Sequence, residues 1–371
     1  MTRDPRRRAL RLGAVLLAGV LVAAGCGGDD DDDGGGASGD GDAIQIALLL
    51  PETKTTRYET QDRPMFEAKV EELCPECEII YSNADQDESR QQQQAEAAIA
   101  NGADVMVLDP VNGQAAGAIV EQAAGQDIPV ISYDRLILDT EVDYYLSFQN
   151  EEVGRLQAEA LVDRLAEDGA DDGTIVMING SPDDNNASQF KAGAHSVLDE
   201  SGLTIGAEYD TPDWSPDEAQ QEMDQAIAQL GEDGIDGVYA ANDGTAGGAI
   251  AAMEAANFSE LPPVTGQDAE LAAIQRILAG DQFMTVYKAI KDEAETAAEL
   301  AVALGRGEDP PEGLVNDEVD NGAGMVPSVL LTPVAVTREN IADTVVADEF
   351  WSVEDICTAD FADACAEAGL E

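Results

Sequence analysis

Positive charge is scarce in this chain: 19 Lys and Arg stand against 76 Asp and Glu in 371 residues, a formal net charge of −57 at pH 7. Such a polyanion repels nucleic acid and anionic membrane surfaces, which excludes nucleic acid as a partner. Histidine is nearly absent, with His195 the only one. Cys74-Pro75-Glu76-Cys77 has the spacing of half a zinc site, but no second Cys-x-x-Cys and no histidine pair complete it. Gly244 to Gly248 opens a predicted helix without the glycine spacing of a P-loop or a dinucleotide fingerprint. No cofactor or metal is expected. Beyond the N-terminal leader, no apolar stretch is long enough to cross a bilayer.

The N-terminus sets the compartment. Arg3, Arg6, Arg7, Arg8 and Arg11 precede an apolar core from Leu12 to Ala24, the pattern of an export signal over residues 1–25. The stretch ends Val22-Ala23-Ala24-Gly25-Cys26. It resembles the lipobox of bacterial lipoproteins, which implies acylation of Cys26, with Ala23 standing where that pattern prefers Leu. Residues 26–42 are then an acylated cysteine and a Gly/Asp/Ser tether that cannot bury a core. The aspartates Asp29 to Asp33 lack the spaced ligands and turn glycine of a calcium loop. Without the leader, 14 basic and 75 acidic residues remain, net −61. The expected location is extracytoplasmic, held to the cell membrane by lipid. The four further cysteines, Cys74, Cys77, Cys357 and Cys365, are an even number in an oxidising compartment and read as disulfides. Local pairing is simplest, and cross-pairing stays open.

From Ala43 onward, strand-like apolar runs alternate with amphipathic stretches of helical length. Ile44 to Leu50, Glu78 to Ser82, Val105 to Leu108 and Ile128 to Tyr133 are separated by the predicted helices Glu59 to Leu73, Glu88 to Asn101 and Asn112 to Gly125. The rhythm repeats from Thr174 onward. Such alternation predicts βαβ units, hence an α/β fold with parallel sheets flanked by helices. About 330 residues exceed one ordinary core, so two lobes are expected. The first is assigned residues 43–149 plus 289–325, the second 150–288 plus 326–371. Pro327 to Thr337 reads as an extended, Pro-interrupted final crossover.

Six polar clusters sit at the ends of apolar runs: Ser132 to Arg135, Gly180 to Asn186, Asp213-Trp214, Asn242-Asp243, Gln267-Asp268 and Tyr287-Lys288. In open α/β sheets ligands bind beyond the carboxyl ends of strands. Planar carboxylate, amide and guanidinium groups can each contact two adjacent hydroxyls, as a sugar requires. Asp134, Asp268 and Asn185 are candidate acceptors. Arg57, Arg135 and Lys288 are candidate donors, and Asn186 and Asn242 can do both. Trp214 would cover one apolar face of a sugar ring, and Tyr58 is the candidate for the other. The competing structural readings are an Asp134–Arg135 ion pair at a strand end, an N-cap at Asn185-Asn186 and an ordinary helical His195.

Five of these segments carry a more specific signal. Tyr133-Asp134-Arg135, Gly180-Ser181-Pro182-x-Asp184-Asn185-Asn186-Ala187, Asn242-Asp243-x-Thr245 through Ile250, Gly266-Gln267-Asp268-Ala269 and Met284 through Lys288 follow one another in order. At these spacings the chain resembles the bacterial periplasmic D-xylose-binding proteins, from about Ile44 to about Val346. The resemblance implies a type I periplasmic binding protein fold hinged by three crossings. It also implies a monomer that captures a monosaccharide and delivers it to an ABC permease. The segment Thr53 to Asp62, holding Arg57 and Tyr58, departs from that pattern; relatives often have Trp where Tyr58 falls. A sensor module for a chemoreceptor or kinase would use the same fold. A glycosidase would use two carboxylates such as Asp134 and Asp268, but no recognised catalytic motif or activated nucleophile accompanies them. Export, acidity and the lack of a basic head argue against a repressor.

Overall fold

The computed structural model describes residues 43–370, so the leader, Cys26 and the tether lie outside the described residues. The first lobe opens with β1 (Gln45–Leu50), α1 (Arg63–Leu73), β2 (Glu78–Asn83), α2 (Glu88–Ala100), β3 (Val105–Leu108), α3 (Gly117–Ala124), β4 (Val130–Tyr133) and β5 (Tyr144–Phe148). β1 shows why these segments are strands. Its apolar run is continuous because both faces are covered. Ile46, Leu48 and Leu50 face one cluster with Phe66 and Val70 of α1. Ala47 and Leu49 face the opposite cluster with Ala95 and Ala98 of α2 and Ile119 and Val120 of α3.

The second lobe follows as α4 (Asn150–Glu167), β6 (Thr174–Asn179), α5 (Asn185–Leu198), β7 (Thr204–Asp210), α6 (Pro216–Leu230), β8 (Gly237–Ala240), α7 (Asp243–Ala255), α8 (Leu271–Ala279) and β9 (Met284–Tyr287). The chain then returns to the first lobe with α9 (Ile290–Gly305), β10 (Asp317–Asp320) and β11 (Met325–Leu331). It ends in the second with β12 (Val334–Thr337), α10 (Val353–Ile356) and α11 (Ala362–Ala368).

The first sheet has the order β10-β11-β5-β4-β3-β1-β2, parallel except for the edge strand β10. The second runs β7-β6-β8 and continues through bridges at Val238–Val264 and Gln267–Val286 to β9 and antiparallel β12. The chain passes between the sheets after Phe148, after Tyr287 and after Leu331. The last passage lies beyond the 325/326 boundary read from the sequence. Met325–Leu331 is a strand of the first lobe, pairing in parallel with β5 over Ser328–Leu331. Pro327 precedes that ladder, so its missing N–H costs the pairing nothing. The structure pairs Cys74 with Cys77 and Cys357 with Cys365.

α4 and α5 approach backbone to backbone. A Cβ at Gly193 would lie 1.9 Å from the Glu151 carbonyl oxygen, and one at Gly154 would lie 1.8 Å from that of Phe190. Gly193→Ala must therefore part the two helices. It is expected to cost about 1–3 kcal/mol of stability, read from urea unfolding.

Candidate functional site

Residues that follow the carboxyl ends of β1, β4, β6, β7, β8 and β9 face one cavity between the lobes. It is lined by Thr55, Arg57, Tyr58, Asp134, Arg135, Asp184, Asn186, Phe190, Trp214, Asn242, Gln267, Asp268 and Lys288. Nine of the ten residues proposed from the sequence are in this set. Asn185 is the exception: it is the half-buried first residue of α5, outside the lining. Its neighbour Asp184 takes the place, capping α5 by accepting from the Asn186 N–H at 2.8 Å. Phe190, which the sequence reading passed over, lies one helical turn from Asn186 and so shares its face. Its ring meets Trp214 edge-on, with centroids 6.3 Å apart.

Asp134 and Arg135 do not pair with each other; each pairs with a different element. Arg57, just before a wide helical turn at Tyr58–Asp62, donates from Nε and Nη2 to Asp62 and from Nη2 to Glu293. Its Nη1 lies 3.1 Å from Asp134 Oδ2 and 3.9 Å from Asp268 Oδ1. Arg135 Nε lies 3.0 Å from Asp184 Oδ2 and 3.5 Å from Asp109, with Glu52 3.8 Å from Nη2. Lys288 Nζ lies 3.1 Å from Asp268 Oδ1. Tyr58 is held between the two guanidinium groups, and its hydroxyl donates to Asp134 Oδ2 at 3.2 Å. It therefore serves the ion network as well as lining the cavity. Asn186 ties the lobes together, donating to the carbonyl and carboxylate of Asp134 at 3.0 Å each and accepting from Asn150.

Proximity here is not the same as satisfaction. Arg57 Nη1, Arg135 Nε, Asp268 Oδ1 and Gln267 Oε1 are buried without a hydrogen-bond partner among the described residues. For the first three the charged neighbour is close but badly aligned. A buried polar group left unpaired costs about 1–3 kcal/mol, so these atoms call for a guest that both donates and accepts. The free cavity is about 20 Å³, room for one or two waters, because the facing side chains are drawn together. A larger guest requires the lobes to part.

Backbone strain aims several of these groups. Asp134 (φ 55°), Trp214 (φ 52°), Asp268 (φ 92°) and Ala269 (φ 49°) are all left-handed, at about 1–3 kcal/mol each. Trp214 lies so close over Gly180 that a Cβ there would sit 2.0 Å from its ring. The indole Nε1 donates to Asp184 Oδ2 at 3.0 Å.

The carboxyl groups divide by how well the cations answer them. Burial raises the Asp134 pKa, but Arg57, Lys288 and Arg135 outweigh it and hold the group down to about 2. Elsewhere burial prevails, pushing Asp109 and Glu293 well up and also raising Glu52 and the cavity-lining Asp184. Among the described residues, no cluster of His, Cys, Asp and Glu is arranged to hold a metal ion.

Two α/β lobes joined by three strands, with polar strand ends converging between them, define the class of two-lobed solute receptors. The chain belongs to the periplasmic binding protein family: residues 46–309 match the periplasmic binding protein domain. It is 40% identical to the D-xylose-binding periplasmic protein of Escherichia coli K12 over 311 residues, 83% of this chain and 91% of that protein. It is 38% identical to the Haemophilus influenzae protein of the same name, over 84% of this chain and 92% of that one. An ABC transporter solute-binding protein from Clostridium phytofermentans, solved with bound β-D-glucose, superposes with TM-score 0.77 at 30% identity. That match covers 84% of this chain and 99% of the other.

Glu270, at the edge of the site, accepts from the Thr56 N–H of the opposite lobe at 3.3 Å. Burial and then Asp268 push its pKa from 4.5 to about 7, against Thr56 and Arg276. The folded protein thus holds this proton more tightly than the unfolded chain. This group's contribution to stability falls as pH rises from about 4.5 to about 7 and then levels off. Glu270→Gln should remove that part of the slope when thermal midpoints are measured across this window.

Proposed function

We propose that this chain is an extracytoplasmic receptor for D-xylose or a closely related aldose, anchored by lipid at Cys26, that delivers its sugar to an ABC permease. The observation that carries the reading is the ring of buried, unpartnered donors and acceptors on Arg57, Arg135, Gln267 and Asp268. The names of its relatives support it further.

A pyranose fits this chemistry. Its hydroxyls each donate and accept, so one can sit between Arg57 and Asp134 and another between Lys288 and Asp268, replacing a misaligned ion contact with two aligned hydrogen bonds. Its C–H face suits the Trp214 indole, with Phe190 packed behind. Hydrogen bonds to charged groups contribute about 1.5–3 kcal/mol each. A few of them, with the ring contact, reach the about −8 kcal/mol of micromolar affinity. Entry requires the three-strand hinge to open, and closure then excludes water. On this reading the site binds and releases its sugar without a reaction.

Calorimetric titration with D-xylose, D-glucose, L-arabinose and D-ribose should give micromolar or tighter binding of D-xylose. Asp268→Ala and Trp214→Ala should each weaken it at least tenfold with folding intact. Wild-type affinity in both variants would refute this arrangement of contacts. The anchor is tested separately. Cys26→Ser should move the exported protein from the membrane fraction to the soluble fraction, and unchanged fractionation would rule acylation out.

A further inference from the structure

The described chain runs on past β12, and residues 338–370 form a cap whose apolar side packs where the lobes join. Ile341, Val345, Phe350, Ile356, Cys365 and Leu370 share one buried cluster with Phe148, Tyr287, Ile290 and Val336, and Leu331 packs against it. Phe148, Tyr287 and Leu331 are the last strand residues before the three passages between lobes. One apolar cluster therefore holds all three hinge strands. Phe350 stacks edge-on against Tyr287, with centroids 5.1 Å apart, and Tyr287 immediately precedes Lys288. The Cys357–Cys365 disulfide closes the distal part of the cap, and Gln275 of α8 donates to the carbonyls of Asp355 and Ile356.

Two hydrogen bonds carry this cap to the site. Trp351 Nε1 donates to the Ala269 carbonyl at 2.8 Å. Ala269 and Asp268 are the consecutive left-handed residues that turn the Asp268 carboxylate into the cavity. A left-handed alanine gains nothing from its own side chain, so its neighbours must hold it. Here the Asp268 N–H bonds to the Val286 carbonyl, the Ala269 N–H to Thr285 and the Ala269 carbonyl to Trp351. In the other direction, Gln61 Nε2 of the first lobe donates to the Phe350 carbonyl at 3.4 Å. Gln61 belongs to the same helical turn as Tyr58 and Asp62. Adjacent residues of the cap thus reach the sugar-facing turn of each lobe.

We infer that residues 338–370 are a hinge clasp that favours the closed form, and that Trp351 is a positioning residue for Asp268. The inference rests on the sugar-receptor reading and adds a determinant that never touches the sugar. The clasp spans both lobes when they are closed, so its loss acts on release more than on capture.

The test uses the full chain in detergent, with D-xylose binding followed by calorimetry and stopped-flow, and the thermal midpoint of the sugar-free protein as control. Trp351→Phe keeps the ring and removes the N–H. It should raise Kd about three- to tenfold, the scale of one hydrogen bond, through a faster koff, with the sugar-free midpoint within about 3 °C of wild type. Gln61→Ala, which cuts the other end, should raise koff in the same direction, and it decides the matter if Trp351→Phe does not fold. Unchanged Kd and koff in a folded variant overturn the clasp while leaving the receptor intact. A wild-type protein that binds none of the four sugars overturns the receptor reading, and the clasp with it.

Discussion

The structure is organised around charge removed from water. Arg57, Arg135 and Lys288 are buried between the lobes within 4 Å of seven carboxylates: Glu52, Asp62, Asp109, Asp134, Asp184, Asp268 and Glu293. Burying ions costs several kcal/mol each unless geometry and hydrogen bonds compensate. The outer layer meets that cost by direct pairing, as in the fork from Arg57 to Asp62. The layer facing the cavity does not, because its pairs are close and poorly aligned. The mixture of unpartnered donors and acceptors bears on the guest as well. An anion would leave the acceptors of Gln267 and Asp268 unanswered, and a hydrocarbon would leave every one of these atoms stranded. A neutral polyol supplies donors and acceptors in equal number without adding charge.

Holding such a cluster open to one small molecule requires side chains that cannot relax into one another. The scaffold does this with backbone. Asp134 and Asp268 leave their strands through left-handed turns, pinned by Asp134 N–H to Leu146 and Asp268 N–H to Val286. Trp214 is fixed by Gly180 beneath it and Asp184 beside it. Each strained residue thus sits next to a rigid strand or under a neighbour that cannot yield. Strain of this kind persists only where surrounding packing over-determines it.

Much of this was legible in the sequence. Strands covered on both faces read as unbroken apolar runs, and their carboxyl ends are where polar residues interrupt the run, so Asp134, Asn242, Asp268 and Lys288 stood out. What pairs with what was not legible. Asp134 and Arg135 are sequence neighbours, yet a turn at φ 55° sends them to opposite partners. Asn185 and Asp184 differ by one position, and the cap geometry of α5 decided between them. Phe190 carried no signal, because an apolar residue inside a helix looks the same whether it faces a core or a cavity; it lines the cavity from α5, which lies close against α4 at Gly154 and Gly193. β11 was misplaced because Pro327 reads as a break, whereas the ladder with β5 begins one residue later.

The same packing logic links the hinge to the site. A cavity of about 20 Å³ holds only one or two waters, so the lobes are shut on their own ion contacts. Opening must break the Asn186 tie to Asp134, the Thr56 contact to Glu270 and the ion contacts of Arg57 with Asp268 and of Arg135 with Asp184 together. Each bond alone is worth about 1 kcal/mol, but they lie on one closing surface and act as a unit. In this closed arrangement the strands that lead into the three passages share one apolar cluster. The passages follow Phe148, Tyr287 and Leu331, and Lys288 stands at one of them. On the sugar-receptor reading, a hydroxyl held by Lys288 and Asp268 is held at one of these passages, which couples capture to closure.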